Sequence, residues 1–277
     1  MLPLLSLILM TVCIGVIGKP TVSKKYDNYF PCGESPSIPK YINYNNIVVN
    51  SNKNKLLKII HGHDSIENDW PWIVTLYDGD VNACTGSIIS PNYVLSARHC
   101  FFSDNVGYGS VNLKRQRIVK VIERHFINNT DFGLLKVEKP FEFDGKHVAP
   151  ICLSSKFDAN PSEILVAAGF GEIFVKTVIS KQGTIVPVYN HTKILQETVV
   201  EHRNDLWCTD KIKNYHPETM ICIGGAASGV ARGDSGGALM AIRNNKWYAL
   251  GALYAGFFDS IPADDLAQVT HGLLLQI

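Results

Sequence analysis

The strongest chemical signal in the chain is a serine set among glycines, Gly233-Asp234-Ser235-Gly236-Gly237. A serine hydroxyl is a weak nucleophile until a base removes its proton. Flanking glycines permit tight backbone geometry and close substrate approach. They also let main-chain N–H groups point at a developing oxyanion. Alone the motif is weak, because Gly and Ser crowd ordinary turns, so its partners must be found elsewhere. A base stands in Val94-Leu95-Ser96-Ala97-Arg98-His99-Cys100, where an apolar run ends in a short turn that presents His99. Among nine histidines, His99 is singled out by Cys100, which a bond to Cys84 would tie across a hairpin. An acid stands at Asp131, immediately before the apolar run that ends at Val137. A carboxylate at a buried edge must be hydrogen-bonded, and an imidazole N–H is a fitting partner.

Short apolar runs between turn signals must position these groups. They are Trp72 to Tyr77, Gly86 to Leu95, Arg117 to Ile122, Gly133 to Val137, Ile164 to Ala168 and Trp247 to Tyr254. Their Val, Ile, Tyr and Phe favour strands, and long helical periodicity is absent. The pattern predicts a mostly β domain built of barrels or a sandwich. With 277 residues, 46% apolar and 18% charged, the chain holds one large domain or two small ones and can bury a sizeable core. A net charge of +1, from 26 basic and 25 acidic residues, argues against nucleic acid or a polybasic membrane surface as partner.

Residues 1–18 are almost wholly apolar and read as a cleaved secretory signal, with an uncleaved membrane anchor as the alternative. Residues 19–58 are rich in Asn, Lys, Pro, Ser and Tyr, the composition of an extended or loosely ordered segment. It ends in Ser51-Asn52-Lys53-Asn54-Lys55-Leu56-Leu57-Lys58, either a solvated linker or a protease-accessible processing site. One of seven cysteines falls in the signal, and the remaining six suggest three disulfides in a secreted chain. N-glycosylation sequons at Asn128 and Asn190 fit secretion. No His or acid cluster has metal-ligand spacing, so neither a metal nor a cofactor is expected.

The order His99, Asp131, Ser235, with those local contexts, resembles the trypsin/chymotrypsin-like serine protease family from Ile59 to about Gly256. Further matches are Ile59-Ile60-His61-Gly62, Trp70-Pro71-Trp72-Ile73-Val74 and Cys84-Thr85-Gly86-Ser87-Ile88-Ile89. Pro150-Ile151-Cys152-Leu153, Ala168-Gly169-Phe170-Gly171 and Met220-Ile221-Cys222 follow in register. The resemblance implies an all-β protease domain over 59–277, two packed six-stranded antiparallel β-barrels with the active site in the cleft between them. Residues 19–58 become a pro-segment. It implies the pairs Cys84–Cys100, Cys208–Cys222 and Cys32–Cys152, the last keeping the pro-segment tethered after cleavage. It assigns Ser235 as nucleophile, His99 as general base and Asp131 as its orienting carboxylate. The N–H groups of Gly233 and Ser235 become the oxyanion hole. Cleavage after Lys58 would free the Ile59 amine to pair with buried Asp234, which is costly without a partner. The expected product is a secreted serine endopeptidase made as a zymogen. Its partners are a polypeptide substrate and an activating protease that prefers basic residues, with a protein inhibitor as a further candidate. No membrane association is expected once the signal is removed. The alternative is a serine protease homologue that binds or regulates partners with little hydrolysis.

The chain also departs from that family. Ala231 stands where a cysteine is usual, and its partner near Ser260 is missing too. Gly229 replaces the aspartate that gives trypsin-like members their basic preference, leaving no charge in a pocket walled by Gly229, Tyr254 and Gly256. Counting from either side of the next loop places Asp264 or Ala263 opposite. Tyr254 replaces a serine that helps hold the catalytic aspartate, and is bulkier, although its hydroxyl retains a donor. Arg98, beside His99, disfavours an imidazolium unless it points to solvent. Leu266 to Ile277 only loosely resembles the family's closing helix.

Overall fold

The computed structural model describes residues 30–43, 62–126, 130–154, 163–179, 185–211, 215–224, 229–258 and 270–276. A short strand β1 (His63–Asp64) precedes six antiparallel strands that close into a barrel. These are β2 (Ile73–Asp78), β3 (Val81–Ser90), β4 (Tyr93–Ala97), β5 (Asn105–Tyr108), β6 (Arg117–Phe126) and β7 (Phe132–Val137). In β6 the buried Val119 and Val121 alternate with exposed Ile118, Lys120 and Ile122, as one face of a strand turns to a core. The sequence reading took Gly86 to Leu95 as one run. It is a hairpin, turned at Pro91-Asn92 between β3 and β4, and proline supplies no N–H to continue a ladder.

The chain then passes β8 (Cys152–Leu153), β9 (Leu165–Gly169) and a two-stranded ribbon of β10 (Glu172–Ile179) and β11 (Ile185–His191). It continues through β12 (Gln196–His202), β13 (Met220–Gly224), β14 (Ala238–Arg243), β15 (Lys246–Phe258) and β16 (Thr270–Gln276). A short helix, Asp205–Lys211, follows β12. The antiparallel pairings β9–β12, β12–β13, β13–β16, β16–β15, β15–β14 and β14–β9 complete a second ring of six strands. The protein is therefore all-β with two barrels, as the resemblance implied. Residues 270–276, part of the stretch that only loosely resembles the family's closing helix, are the strand that closes this ring: backbone N–H and C=O groups at a barrel seam are satisfied only by a neighbouring strand.

The segment 30–43 corrects the expectation of loose order. Cys32 is bonded to Cys152, and Tyr41 is buried among Trp70 and Trp247 with ring centroids 5.8 and 5.3 Å away. Gly33 exchanges backbone bonds with Pro150 and Trp247 at a positive φ of 71°, and a Cβ there would collide with the Trp247 backbone. Polar composition concealed an aromatic anchor, Tyr41, which together with the Cys32–Cys152 bond ties the strip to the domain. Beneath it lies Glu197, 1% exposed. It accepts from Tyr41 Oη at 2.8 Å, Trp70 Nε1 at 2.6 Å and Lys40 Nζ, and faces His63 Nε2 at 3.0 Å. Burial alone would push the Glu197 carboxyl up; the bonds from Lys40, Trp70 and Tyr41 outweigh it and hold it below the usual carboxylate range. Nearby Asp69 is raised, by burial first and by the Glu197 charge second.

Candidate active site

The β4–β7 register sets the first part of the site. Ala97, the last residue of β4, lies opposite Phe132, the first of β7. His99 sits two residues beyond Ala97, in the single 3-10 turn Arg98–Cys100, and Asp131 sits one before Phe132. The chain ends are joined by a bond from Arg98 N–H to the Asp131 carbonyl. The Asp131 carboxylate then takes two bonds from one residue. Oδ1 accepts from the His99 backbone N–H at 3.0 Å, and Oδ2 lies 2.6 Å from His99 Nδ1. With a carboxylate as acceptor, Nδ1 carries the proton and Nε2 presents its lone pair outward. The His99 side chain is 41% exposed and that of Asp131 15%. The carboxylate is thus sheltered while the ring stays accessible. The Arg98 guanidinium lies over the Phe126 ring, 5.0 Å from its centroid, which holds the cation on an aromatic face at the surface.

Cys84 and Cys100 are bonded, fixing the His99 turn to β3. A His99 ring nitrogen and both sulfurs lie within 4.8 Å of one another, but sulfurs in a disulfide offer no thiolate to a metal. Cys208–Cys222 is the third disulfide, so all three expected pairs form.

The serine loop is bound to both barrels. Thr85 donates its N–H to Ser235 O at 2.9 Å and its hydroxyl to Gly233 O at 2.9 Å. Gly236 N–H bonds Leu253 O, and Leu253 N–H bonds Gly237 O. Gly233 and Gly236 have φ of 95° and 81°, the left-handed region that glycine enters without strain. Among the described residues no acceptor takes the N–H of Gly233 or Ser235, and the Ser235 hydroxyl makes no hydrogen bond, to His99 or otherwise. The Asp234 carboxylate turns inward and accepts from Gly171 N–H and Ala231 N–H, both at 2.8 Å. Burial pushes it up to about 6, and those two bonds offset only part of the rise.

The structure thus brings His99 and Asp131 together and anchors Ser235 close by through Thr85. Lys58, Ile59 and Asn128 lie outside the described residues; Asn190 is exposed on β11. Gly229 is half-buried at the entry to the serine loop. Gly256 lies on β15 opposite Gly272 of β16, so the next strand offers a second glycine there, while Ala263, Asp264 and Ser260 lie outside the described residues. The Tyr254 hydroxyl makes no bond to Asp131; its ring meets His99 edge to face at 6.0 Å between centroids. Sequence reasoning missed Thr85, Gly171 and Ala231. Gly171 was visible as a glycine flanking Phe170: a Cβ there would collide with the Asp234 carboxylate.

Comparison with known proteins adds two findings. A family model described as Trypsin matches residues 59–264. The cattle (Bos taurus) Suppressor of tumorigenicity 14 protein homolog is 26% identical over 210 residues, which cover 66% of this chain and 23% of that protein. The chain therefore matches about a quarter of that relative's length.

Proposed function

The chain belongs to the trypsin family, and on that premise we propose that it is a secreted serine endopeptidase made as a zymogen. In this reading His99, oriented by Asp131, takes the Ser235 proton as Ser235 attacks the scissile carbonyl, and then returns it to the leaving amine. The free N–H groups of Gly233 and Ser235 receive the oxyanion; losing one such donor typically costs about 10²–10³ in rate. Residues 1–18 are the signal, 19–58 the pro-segment and 59–277 the protease domain. Cleavage after Lys58 by a protease preferring basic residues frees Ile59 to supply the cation that buried Asp234 lacks. The Cys32–Cys152 bond then keeps the pro-segment attached. Three disulfides fit an oxidising, extracellular setting. Gly229 brings no charge to the pocket it shares with Tyr254 and Gly256, so in this reading the scissile bond follows an uncharged side chain, and an acid at Asp264 on the opposite wall would instead favour a basic one.

The observation that carries this reading is the Asp131 carboxylate, which grips both the backbone and the ring of His99. A second reading, a homologue that binds partners with little hydrolysis, draws on Tyr254, whose ring stands against His99. One experiment separates them. The full chain is cut with a tryptic protease and treated with a fluorophosphonate, with Ser235→Ala as control. Labelling of Ser235 only after release of Ile59 is expected. A folded, correctly cut protein that does not label refutes the enzyme reading.

A further inference from the structure

Tyr254 interrupts the β15 ladder. Leu253 pairs with Leu274 and Ala255 with Leu273, so Tyr254 is the extra residue of a bulge. A bulge leaves one residue unpaired and re-aims its side chain. Here the ring leaves the ladder and packs on two groups of buried residues at once. One is Leu95 of β4, Phe132 of β7 and Ala252. The other is Tyr215 and the Cys208–Cys222 disulfide. The first group flanks the two segments that present His99 and Asp131; the second belongs to the other barrel's wall. The ring ends against the His99 imidazole, centroids 6.0 Å apart and planes at 74°. Its hydroxyl bonds no described residue, so the contact is made by the ring alone.

We propose that Tyr254 is a positioning residue for His99: its ring, turned out of β15 by the bulge, gives the imidazole a second support besides the Asp131 bond. The inference rests on the proteolytic reading for its consequence in rate, but its geometry stands without it. Asp131 fixes one ring nitrogen and leaves the imidazole free to swing about that bond; an aromatic edge packed from the second barrel removes this freedom. Two points of support define the direction in which Nε2 presents its lone pair. Groups facing His99 are Asp131 at the start of β7, Arg98 on its own turn with its cation over Phe126, and Tyr254 from β15. Behind Tyr254, the Tyr215 hydroxyl donates to Asp205 of the short helix.

The test reads His99 itself. In the full chain, the His99 ring is observed by nitrogen-15 and proton NMR at a single pH, assigned with His99→Gln, in wild type, Tyr254→Phe and Tyr254→Ser. The Phe variant keeps the ring and should keep the signal of the Nδ1 proton that bonds Asp131. The Ser variant leaves the imidazole free to swing, and that signal should be lost to exchange with solvent. After tryptic cutting, the Phe variant should label with fluorophosphonate within twofold of wild type. The Ser variant should label at least tenfold more slowly, since a small misplacement near reacting atoms costs up to about 10². Tyr254→Leu, which fills the space without a ring, stands in should Tyr254→Ser fail to fold, and should behave as that variant. The proposal is overturned if the ringless variant keeps the Nδ1 proton signal as wild type does, or if Tyr254→Phe falls as far as the ringless variant. An Nδ1 proton signal kept in Tyr254→Phe and lost in the ringless variant, in a chain that never labels, would sink the enzyme reading and leave the positioning contact intact.

Discussion

Replacing Glu197 tests whether the segment 30–43 is part of the folded body. Glu197→Leu removes the carboxylate to which the Tyr41 hydroxyl and the Trp70 indole N–H, both buried, donate. Removing the acceptor of a buried donor costs about 1–3 kcal/mol. Breaking a buried ion pair costs about 3–5 kcal/mol, although the 40% exposed Lys40 side chain recovers water and places the loss at the lower end. These figures describe overlapping groups and do not add, so a loss of about 4 kcal/mol is expected. For a domain of this size that lowers the thermal midpoint by roughly 8–16 °C. Glu197→Gln keeps an acceptor but no charge and should lose about half as much. The pH dependence has a definite sign. The folded Glu197 carboxyl lies below its unfolded value, so its contribution is complete above about pH 4.3 and lost as pH falls through the lowered value. Glu197→Gln removes that acid-limb loss. Asp69 works against it, because the Glu197 charge helps raise it, so part of the loss in either variant is returned by relief of Asp69. The assay is urea unfolding at pH 7 and pH 3.5 with disulfides intact. A loss under about 1 kcal/mol for Glu197→Leu at pH 7 would refute the claim that 30–43 is docked through this carboxylate.

Two further outcomes follow from the serine loop. The folded Asp234 carboxyl, at about 6, stands above its unfolded value, so the uncut chain should lose stability as pH rises from about 4 to 6, by roughly 3 kcal/mol. Asp234→Asn should flatten that slope, and so should cutting after Lys58, which supplies the Ile59 cation; urea midpoints across pH on both forms check it, and equal slopes in wild type and Asn variant would refute it. Gly236→Ala should cost about 1–3 kcal/mol or more and slow Ser235 labelling at least tenfold, because its φ is 81° and a Cβ would meet Ser96 Oγ and the Thr85 carbonyl. Labelling at the wild-type rate would show that the loop tolerates the side chain.

Much was legible before any coordinates. The short runs of β-branched and aromatic residues gave the strand class, and glycines around Ser235 gave a turn that only small residues can make. The disulfide pairs implied by the resemblance all form. What the chain concealed were features whose local signal was weak or overlaid. The Pro91-Asn92 turn, though made of turn residues, lies inside one apolar run because both flanking strands are largely buried. The strand β16 gave no strand signal because Leu273-Leu274-Leu275 has no period of two.

By itself, the sequence determined which residue types are present and in what order: a serine among glycines, a histidine beside a cysteine, and an acid at the mouth of a strand. These are matters of local backbone and side-chain chemistry, which a few neighbouring residues decide. Only the tertiary structure decided that Asp131 grips His99 twice, that Thr85 moors the serine loop, that Asp234 turns inward to Gly171 and Ala231, and that Tyr254 bulges against the imidazole. Apart from the Ala231 bond, which closes a local turn, each joins residues far apart in the chain, and such contacts are set by strand register and packing between barrels rather than by any neighbour in sequence.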